Sequence, residues 1–457
     1  MSLSHAETFT ARSTQEIVTQ LHDSVKSIYK QTKNDDFAEL EIELHQKFAE
    51  AERQCMAKLL EQYDWDYPAF FSGEKTYTRI SRNKKSYMTL AGEVTLERSL
   101  YRTARNGPTY CPMELNTGLM EGFWTPQAAK QALHLVSLNT PAEAEQIFNE
   151  FGLMSPSKSS LDRLPKKLNE HWEANRVNLE QKLFDAFEIP TEAFMCAVSL
   201  DGVMISTRYA QVLPGDSRWC EACCGTVSFF DKKGELLITR FLARMPEHKK
   251  KTLKSQLAMQ VEQIKKRRPD LKMIKIADGA RDNWTFLNDE IKEGECVLDF
   301  YHAATHLHDA MEVIYGKNSV DAITEYKKYR HSLRHDEKGI DKVINHLKYQ
   351  LRKNPKKEKI KTEITYFSRH RARCQYARLA KENKPIGSGI VESACKTVLQ
   401  MRCKRSGQRW ENKGGQAILT FRSILLSRQL DDAWELIKDF YCQPIEPPKN
   451  VVRLGRF

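Results

Sequence analysis

The chain has 457 residues, 40% of them hydrophobic, and carries a net charge of +12 at neutral pH. This length exceeds what one hydrophobic core usually organises, so it predicts several domains, and the positive charge favours a nucleic-acid partner. No apolar run reaches about 18 residues, which excludes a transmembrane helix, and the first residues lack the pattern of a signal peptide. Eleven scattered cysteines favour a reduced compartment over a disulfide framework.

The first quarter of the chain changes its hydrophobic period twice. Residues 13–63 predict two helices, a hairpin that packs either on the core or on a second protomer, and residues 1–12 are expected to be disordered. Residues 76–104 predict a basic β-hairpin that turns at Ala91-Gly92. The charges of this hairpin either contact DNA or keep an exposed strand edge soluble, and the sequence favours neither role.

Residues 125–188 return to the helical period. The pattern predicts helices over 127–138, 141–151 and 162–186, with Asp162 as the cap of the third. Short helices before a basic helix start are typical of a helix-turn-helix, although any helical subdomain has similar spacing. The residues predicted to contact DNA are the cations around that helix start: Lys158, Arg163, Lys166 and Lys167.

Residues 194–300 predict β-strands with interspersed helices. The predicted strands are 194–206, 221–230, 236–242, 273–277 and 296–300. Helices are predicted at 249–266 and 282–290, on either side of the fourth strand. Three strands followed by helix, strand, helix and strand is the element order of a ribonuclease H-like α/β fold.

A helical and basic region follows the last predicted strand. Residues 317–380 contain 18 lysines and arginines against 7 acids. We interpret residues 303–384 as a helical insertion in the catalytic core that binds phosphates. The alternative is that these charges form an ordinary solvated face.

Three of the 60 acids are distinguished by their placement. Asp201 lies within an apolar strand, Asp278 ends a later strand, and Glu392 follows a glycine-rich entry to a late helix. A carboxylate on a buried strand needs either a cation or backbone donors, and for Asp201 alone both readings remain open. Cleavage of a phosphodiester with two hard cations needs carboxylates at the ends of structural elements. The three acids are therefore the candidate catalytic residues and the candidate ligands of Mg²⁺ or Mn²⁺.

Other side chains are candidates for supporting roles at this site. Asp299 and His302 are predicted to position groups around the metals, and Asp299 is also the rival of Glu392 as third ligand. The cations predicted to bind phosphates close to the metals are Arg402, Lys404, Arg405 and Arg409. Cys220 and Cys223 have the spacing of zinc ligands, but no second pair accompanies them, so zinc is not expected.

Four motifs together resemble a known family: Leu200-Asp201-Gly202, Ala277-Asp278-Gly279-Ala280, Asp299-Phe-Tyr-His302 and Pro385-Ile-Gly-Ser-Gly-Ile-Val-Glu392-Ser-Ala-Cys-Lys396. They resemble the catalytic core of bacterial insertion-sequence DDE transposases of the ISKra type, and the Asp-x-x-His motif is shared with Mutator-like transposases. The segment Lys404-Arg405-Ser406-Gly407, followed by Arg409-Trp410, also matches the family's C-terminal pattern. The resemblance covers about residues 75–435 and implies that Asp201, Asp278 and Glu392 hold the metals. The chain departs from the family in lacking the Cys-x-x-Cys zinc knuckle that relatives often carry after the N-terminal hairpin.

The resemblance implies an enzyme that cleaves DNA and transfers strands at the ends of its own insertion sequence. The expected partners are double-stranded DNA with terminal inverted repeats, target DNA and further copies of the chain, as a homodimer or larger assembly. The expected location is the bacterial cytoplasm, in association with the nucleoid and not with a membrane. Two alternatives remain open: a non-catalytic, domesticated DNA-binding regulator, and a ribonuclease H-like structure-selective nuclease.

The predicted fold class is α/β, a ribonuclease H-like catalytic core with a helical insertion and with N-terminal helical and small β domains. The predicted order is a helical hairpin (1–75), a small β region (76–124), a helical and possible helix-turn-helix DNA-binding domain (125–190), the first part of the core (191–302), the basic helical insertion (303–384), the last part of the core (385–440) and an extended tail (441–457).

Overall fold

A computed structural model describes residues 3–31, 36–72, 74–152, 154–208, 218–353, 355, 358–387, 389–443 and 445. The protein is a mixed α/β chain with 58% helix and 19% strand. It divides into two compact units: Met1–Arg176 together with Asp431–Phe457, and Val177–Leu430. Within the described residues, no helix combines the length and the apolar character needed to cross a membrane. The predicted extended tail lies largely outside the described residues.

The helices and strands follow one another in this order: α1 (Leu3–Gln31), α2 (Phe37–Glu61), β1 (Ala69–Ser72), β2 (Lys75–Thr89), β3 (Gly92–Arg102), α3 (Pro112–Thr117), α4 (Pro126–Leu138), α5 (Pro141–Phe151), α6 (Lys158–Ala174), α7 (Arg176–Ala186), β4 (Met195–Ser206), β5 (Trp219–Phe230), β6 (Leu236–Arg244), α8 (Lys251–Arg267), β7 (Lys272–Ala277), α9 (Arg281–Asp289), β8 (Glu295–Leu298), α10 (Phe300–Tyr315), α11 (Val320–His335), α12 (Gly339–Lys353), α13 (Glu358–His370), α14 (Tyr376–Lys381), α15 (Gly389–Ala394), α16 (Met401–Cys403), α17 (Asn412–Leu426) and α18 (Leu430–Tyr441). A π-helical segment, Cys395–Gln400, joins α15 to α16.

The first unit contains the helical hairpin α1–α2 and a three-stranded antiparallel sheet in the order β1-β2-β3. The helix α1 begins at Leu3, so the prediction of disorder over residues 1–12 is wrong from that residue onward. From Gly92 to Glu97 of β3, buried and exposed positions alternate, because one face of the sheet packs on the core while the other meets solvent.

The region predicted as one helix over 162–186 is two helices, α6 and α7. The hydroxyl of Ser157 accepts a hydrogen bond from the Ser160 backbone N–H, so α6 begins at Lys158. Asp162 therefore lies inside the helix, where it pairs with Lys166 at 2.6 Å, and its predicted role as the cap is wrong.

The second unit is built on a mixed five-stranded sheet in the order β6-β5-β4-β7-β8. The strands β4, β5 and β6 run antiparallel, whereas β7 and β8 run parallel to β4. The last strand ends at Leu298 and not at Phe300 as predicted, because Asp299 caps α10 and the helix begins at the next residue.

Helices cover both faces of this sheet. Side chains of β4 alternate between the two sides, as a period of two requires. Met195 and Ala197 pack in the core that contains α10 to α14, while Cys196 and Val198 pack in the core that contains α8 and α9. Further along the strand, Val203 packs with the C-terminal helical segments.

Candidate active site

Two predicted site residues, Asp201 and Asp278, occupy equivalent positions in the register of the adjacent parallel strands β4 and β7. Ser199 pairs with Ile276, so Asp201 and Asp278 both lie two residues beyond this pair. The sheet therefore places two carboxylates side by side where β7 ends. The carboxyl ends of parallel strands are the usual position of a site in an α/β sheet.

The electrostatics of Asp201 reflect this position. Burial raises the pKa of its carboxyl, and the neighbouring charge of Asp278 raises it further. A hydrogen bond of 2.7 Å from the Gly202 backbone N–H opposes the shift without cancelling it. Two adjacent carboxylates in partly buried positions are stabilised by a cation between them.

Asp299 is fully buried and follows β8 directly. Its carboxylate accepts hydrogen bonds of 3.2 Å from the backbone N–H groups of Tyr301 and His302, and it forms a short contact with Nδ1 of His302. The last contact is the main cause of the raised pKa of His302, and the charges of Asp278 and Asp201 act in the same direction. Asp299 thus favours the protonated form of the imidazole beside the other two acids.

The segment before α15 contacts Asp299 and the two residues that follow it through Ile386 and Gly387. The N–H of Phe300 donates to the carbonyl of Ile386 at 3.1 Å. A Cβ added at Gly387 would come within 2.9 Å of the Tyr301 ring and 3.4 Å of a carboxylate oxygen of Asp299. The glycine is therefore required by close approach, and it leads the chain from the buried acid to the helix that carries Glu392.

The helix α15 packs against β4 and β5. Cys395, one residue after it, is buried and hydrogen-bonds with Cys224, which is the partner of Asp201 in the β4–β5 register. Cys395 thus places the C-terminal end of α15 beside the position of Asp201 on β4.

The Glu392 carboxylate itself is engaged elsewhere. It accepts a 2.8 Å hydrogen bond from Nζ of Lys396, and its side chain is 47% exposed. In the described part of the chain, one set of three potential metal ligands has its ligand atoms within 4.8 Å of one another, namely His308, Asp309 and Glu312. The structure therefore brings Asp201, Asp278, Asp299 and His302 together, but it does not draw the Glu392 carboxylate into a compact set with the two aspartates.

The side chains at this site fit a hard divalent cation. Asp201, Asp278 and Glu392 offer carboxylate oxygen, which Mg²⁺ and Mn²⁺ prefer. Asp201 is half-buried beside Asp278, and burial together with that neighbouring charge raises its pKa, so its surroundings disfavour the ionised carboxylate unless a cation compensates it. Asp201 and Asp278 are thus the residues best placed to hold such an ion.

Tyr366 on α13 also belongs to the site, although the sequence did not single it out. A Cβ added at Gly279, the residue after Asp278, would lie 2.4 Å from a carbon of its ring. The ring stacks on His306 at a centroid distance of 3.7 Å, and the buried hydroxyl has no hydrogen-bond partner among the described residues. Its helical region was recognisable from the sequence, but nothing local distinguishes this tyrosine from others in the insertion.

The cations predicted to bind DNA through the helix α6 fall into two pairs. Lys158 and Arg163 are exposed, and within the described chain their side chains form no ion pair with an acid. Lys166 and Lys167 instead pair with acids of the same helix, at 2.6 and 2.9 Å. The first pair is therefore more available to a phosphate.

The predicted C-terminal phosphate cluster requires one correction. Arg402 is only 2% exposed, and its guanidinium lies 5.1 Å from the centre of the Trp410 ring, so its predicted role in DNA binding is wrong. Lys404 and Arg409 are exposed. Nε of Arg405 donates to the Met401 carbonyl at 3.0 Å.

Comparison of the chain with protein-family models and with curated proteins gives no match. The function is therefore inferred from the residues of the site and from their geometry.

Proposed function

We propose that the protein is a DDE transposase, an enzyme that cleaves DNA at the ends of an insertion sequence and transfers the strands. We also propose that its second unit is a ribonuclease H-like core. The strand order β6-β5-β4-β7-β8 supports this, because three antiparallel strands are extended by two strands parallel to the first. Helices cover both faces of the sheet, and the basic helices α11 to α14 follow its last strand.

The observation that carries the proposal is the side-by-side position of Asp201 and Asp278 next to the buried Asp299 and its partner His302. Asp201 and Asp278 would hold the divalent cations, with Glu392 as the third ligand. A pair of such cations, when bound, activates the attacking oxygen and stabilises the leaving oxygen of the phosphodiester. For Glu392 to bind a metal ion, its carboxylate must release the ammonium group of Lys396.

The residues around the acids have separate tasks in this proposal. Asp299 fixes the ring of His302 through Nδ1, which leaves the other ring nitrogen to orient a carboxylate or the scissile phosphate. The neighbouring carboxylates raise the pKa of His302 and so favour its protonated form, which would offset part of the negative charge of an incoming phosphate. Exposed cations elsewhere on the chain supply the sequence-independent part of DNA binding.

The proposed partners are double-stranded DNA with terminal inverted repeats, target DNA, and further copies of the chain in a homodimer or larger assembly. The proposed location is the bacterial cytoplasm at the nucleoid. The +12 net charge supports a polyanionic partner.

The experiment is cleavage of DNA that carries the repeats flanking the gene, by purified protein with Mg²⁺. Asp201→Asn and Glu392→Gln keep the size of the side chain and remove its charge, so we expect both to abolish cleavage and to retain DNA binding. Asp299→Asn is the comparison, because this residue is expected to position His302 and not to be a primary ligand.

Three results would contradict parts of the proposal. Binding of the repeats by the wild-type protein without any cleavage would favour the non-catalytic regulator. Cleavage directed by branched structure rather than by the repeats would favour the structure-selective nuclease. Cleavage by Glu392→Gln but not by Asp299→Asn would make Asp299 the third ligand.

A further inference from the structure

Two consecutive lysines precede α8 in a backbone conformation that side chains rarely adopt. Lys249 has φ +53° and Lys250 has φ +56°, both in the left-handed region. Among the described residues, this is the one place where two adjacent non-glycine residues have positive φ. Such a conformation persists only when the surrounding structure enforces it, and it is found preferentially at functional sites.

The two side chains that leave this turn have different surroundings. Lys249 is exposed, whereas the side chain of Lys250 is only 13% exposed. Nζ of Lys250 lies 3.2 Å from a carboxylate oxygen of Glu221 on β5. The strained turn therefore directs one lysine inwards and leaves its neighbour in solvent.

Glu221 brings this ammonium group next to the acid site. Its side chain lies over Gly202, because a Cβ added there would come within 2.1 Å of the Glu221 carboxylate. Gly202 directly follows Asp201, and the charge of Lys250 lowers the pKa of Asp201, against the larger effect of burial. Lys250 is therefore a cation at the edge of the site whose present partner is a half-exposed carboxylate.

We propose that Lys250 binds a phosphate of the DNA strand that occupies the acid site, and that this phosphate replaces Glu221 as its partner. The inference rests on the proposed function, since it requires a phosphodiester beside Asp201 and Asp278. An incoming phosphate adds negative charge next to two carboxylates, and a nearby ammonium group compensates it. The neighbouring Lys249 has the same chemistry and the same backbone conformation, so it is the matched control.

The first test measures DNA affinity against salt concentration, with Ca²⁺ as the divalent ion. A lost phosphate contact releases one counterion fewer, so Lys250→Gln should make the slope of log K against log salt shallower by about 0.9. Lys249→Gln should leave the slope unchanged. In wild type, a neutral methylphosphonate at the scissile position should weaken binding, whereas in Lys250→Gln it should weaken binding much less. An unchanged slope for Lys250→Gln, or equal changes for the two variants, would overturn the proposal.

The second test replaces each lysine by glycine, which adopts positive φ without strain. Lys249→Gly should unfold at a higher temperature, by roughly 2 °C, because the strain at one residue is removed. In Lys250→Gly, loss of the ion pair with Glu221 offsets this gain. Cleavage should fall at least tenfold in Lys250→Gly and stay unchanged in Lys249→Gly. A merely structural role for Lys250 would instead leave cleavage at the wild-type rate in Lys250→Gly.

The wild-type protein in the same assay distinguishes a failure of the proposed function from a failure of the proposed role of Lys250. Absence of cleavage by wild type, with folded and DNA-bound protein, would refute the proposed function. Cleavage by wild type at a rate that Lys250→Gly retains would refute the role of Lys250 alone.

Discussion

Because Tyr366 lies close to Gly279, we expect a larger residue at this position to destabilise the protein, and the distances indicate by how much. In Gly279→Ala, the new methyl carbon would lie 2.4 Å from one ring carbon of Tyr366 and 3.0 Å from its hydroxyl. Ordinary van der Waals contact begins at about 3.4 Å, so the overlap is roughly 1 Å. The ring has little room to retreat, because it stacks on His306 and also packs against His370.

We expect this overpacking to lower the free energy of unfolding by about 1–3 kcal/mol. Cleavage should fall as well, since Asp278 immediately precedes the displaced backbone. The assay is urea unfolding followed by circular dichroism, with DNA cleavage measured on the same preparations. Gly389→Ala is the control, because nothing lies within 4 Å of a Cβ added at that residue, so its effect should stay within about 0.5 kcal/mol or be stabilising.

A double-mutant cycle tests the stated cause. Tyr366→Leu removes the ring carbon and the hydroxyl that the new methyl group would meet. In that background, Gly279→Ala should lose most of its destabilising effect, which gives an interaction energy of about 1 kcal/mol or more. Strictly additive effects of the two substitutions, or a Gly279→Ala protein as stable as wild type, would refute the reasoning.

Three further predictions concern pH, the C-terminal cations and end binding. Burial lowers the pKa of His370 from 6.5 to about 4, so between these values the unfolded chain binds a proton that the folded chain does not. The free energy of unfolding should therefore fall by up to about 3 kcal/mol as the pH drops from 7.5 to 4, and His370→Gln should lose this part of the dependence in urea unfolding at each pH. Arg402→Ala should destabilise the protein by about 1–3 kcal/mol without changing the salt slope of DNA binding, whereas Arg409→Ala should make that slope shallower by about 0.9 at unchanged stability; the reverse pattern would restore Arg402 as a phosphate ligand. Replacing the exposed Lys158 and Arg163 by Ala should weaken binding to the chain's own repeats in a gel-shift assay more than replacing the ion-paired Lys166 and Lys167, and equal losses would contradict the distinction drawn from their ion pairs.

The amino-acid sequence by itself determined the order of the strands and helices in the second unit. The apolar runs around Asp201 and before Asp278 predicted the strands within a few residues, because a buried strand must itself consist of apolar residues. The sequence also showed that Asp201 and Asp278 are each followed by a glycine. The structure explains both glycines, because Glu221 lies over Gly202 and Tyr366 lies over Gly279.

Only the tertiary structure decided which side chains share the site. Asp201 and Asp278 lie side by side because of the register of two strands that are far apart in sequence. Asp299 is a helix cap because β8 stops two residues earlier than its apolar pattern predicts. Arg402 is buried with its guanidinium 5.1 Å from the centre of the Trp410 ring, although neighbouring cations in the same basic stretch are exposed. Lys250 meets Glu221 of β5 from a turn whose two residues adopt a conformation that local preference opposes. The hydrophobic period of a segment is a local property that a single sequence shows. Strand register, the pairing of charged side chains and backbone strain are set by residues that meet only after folding.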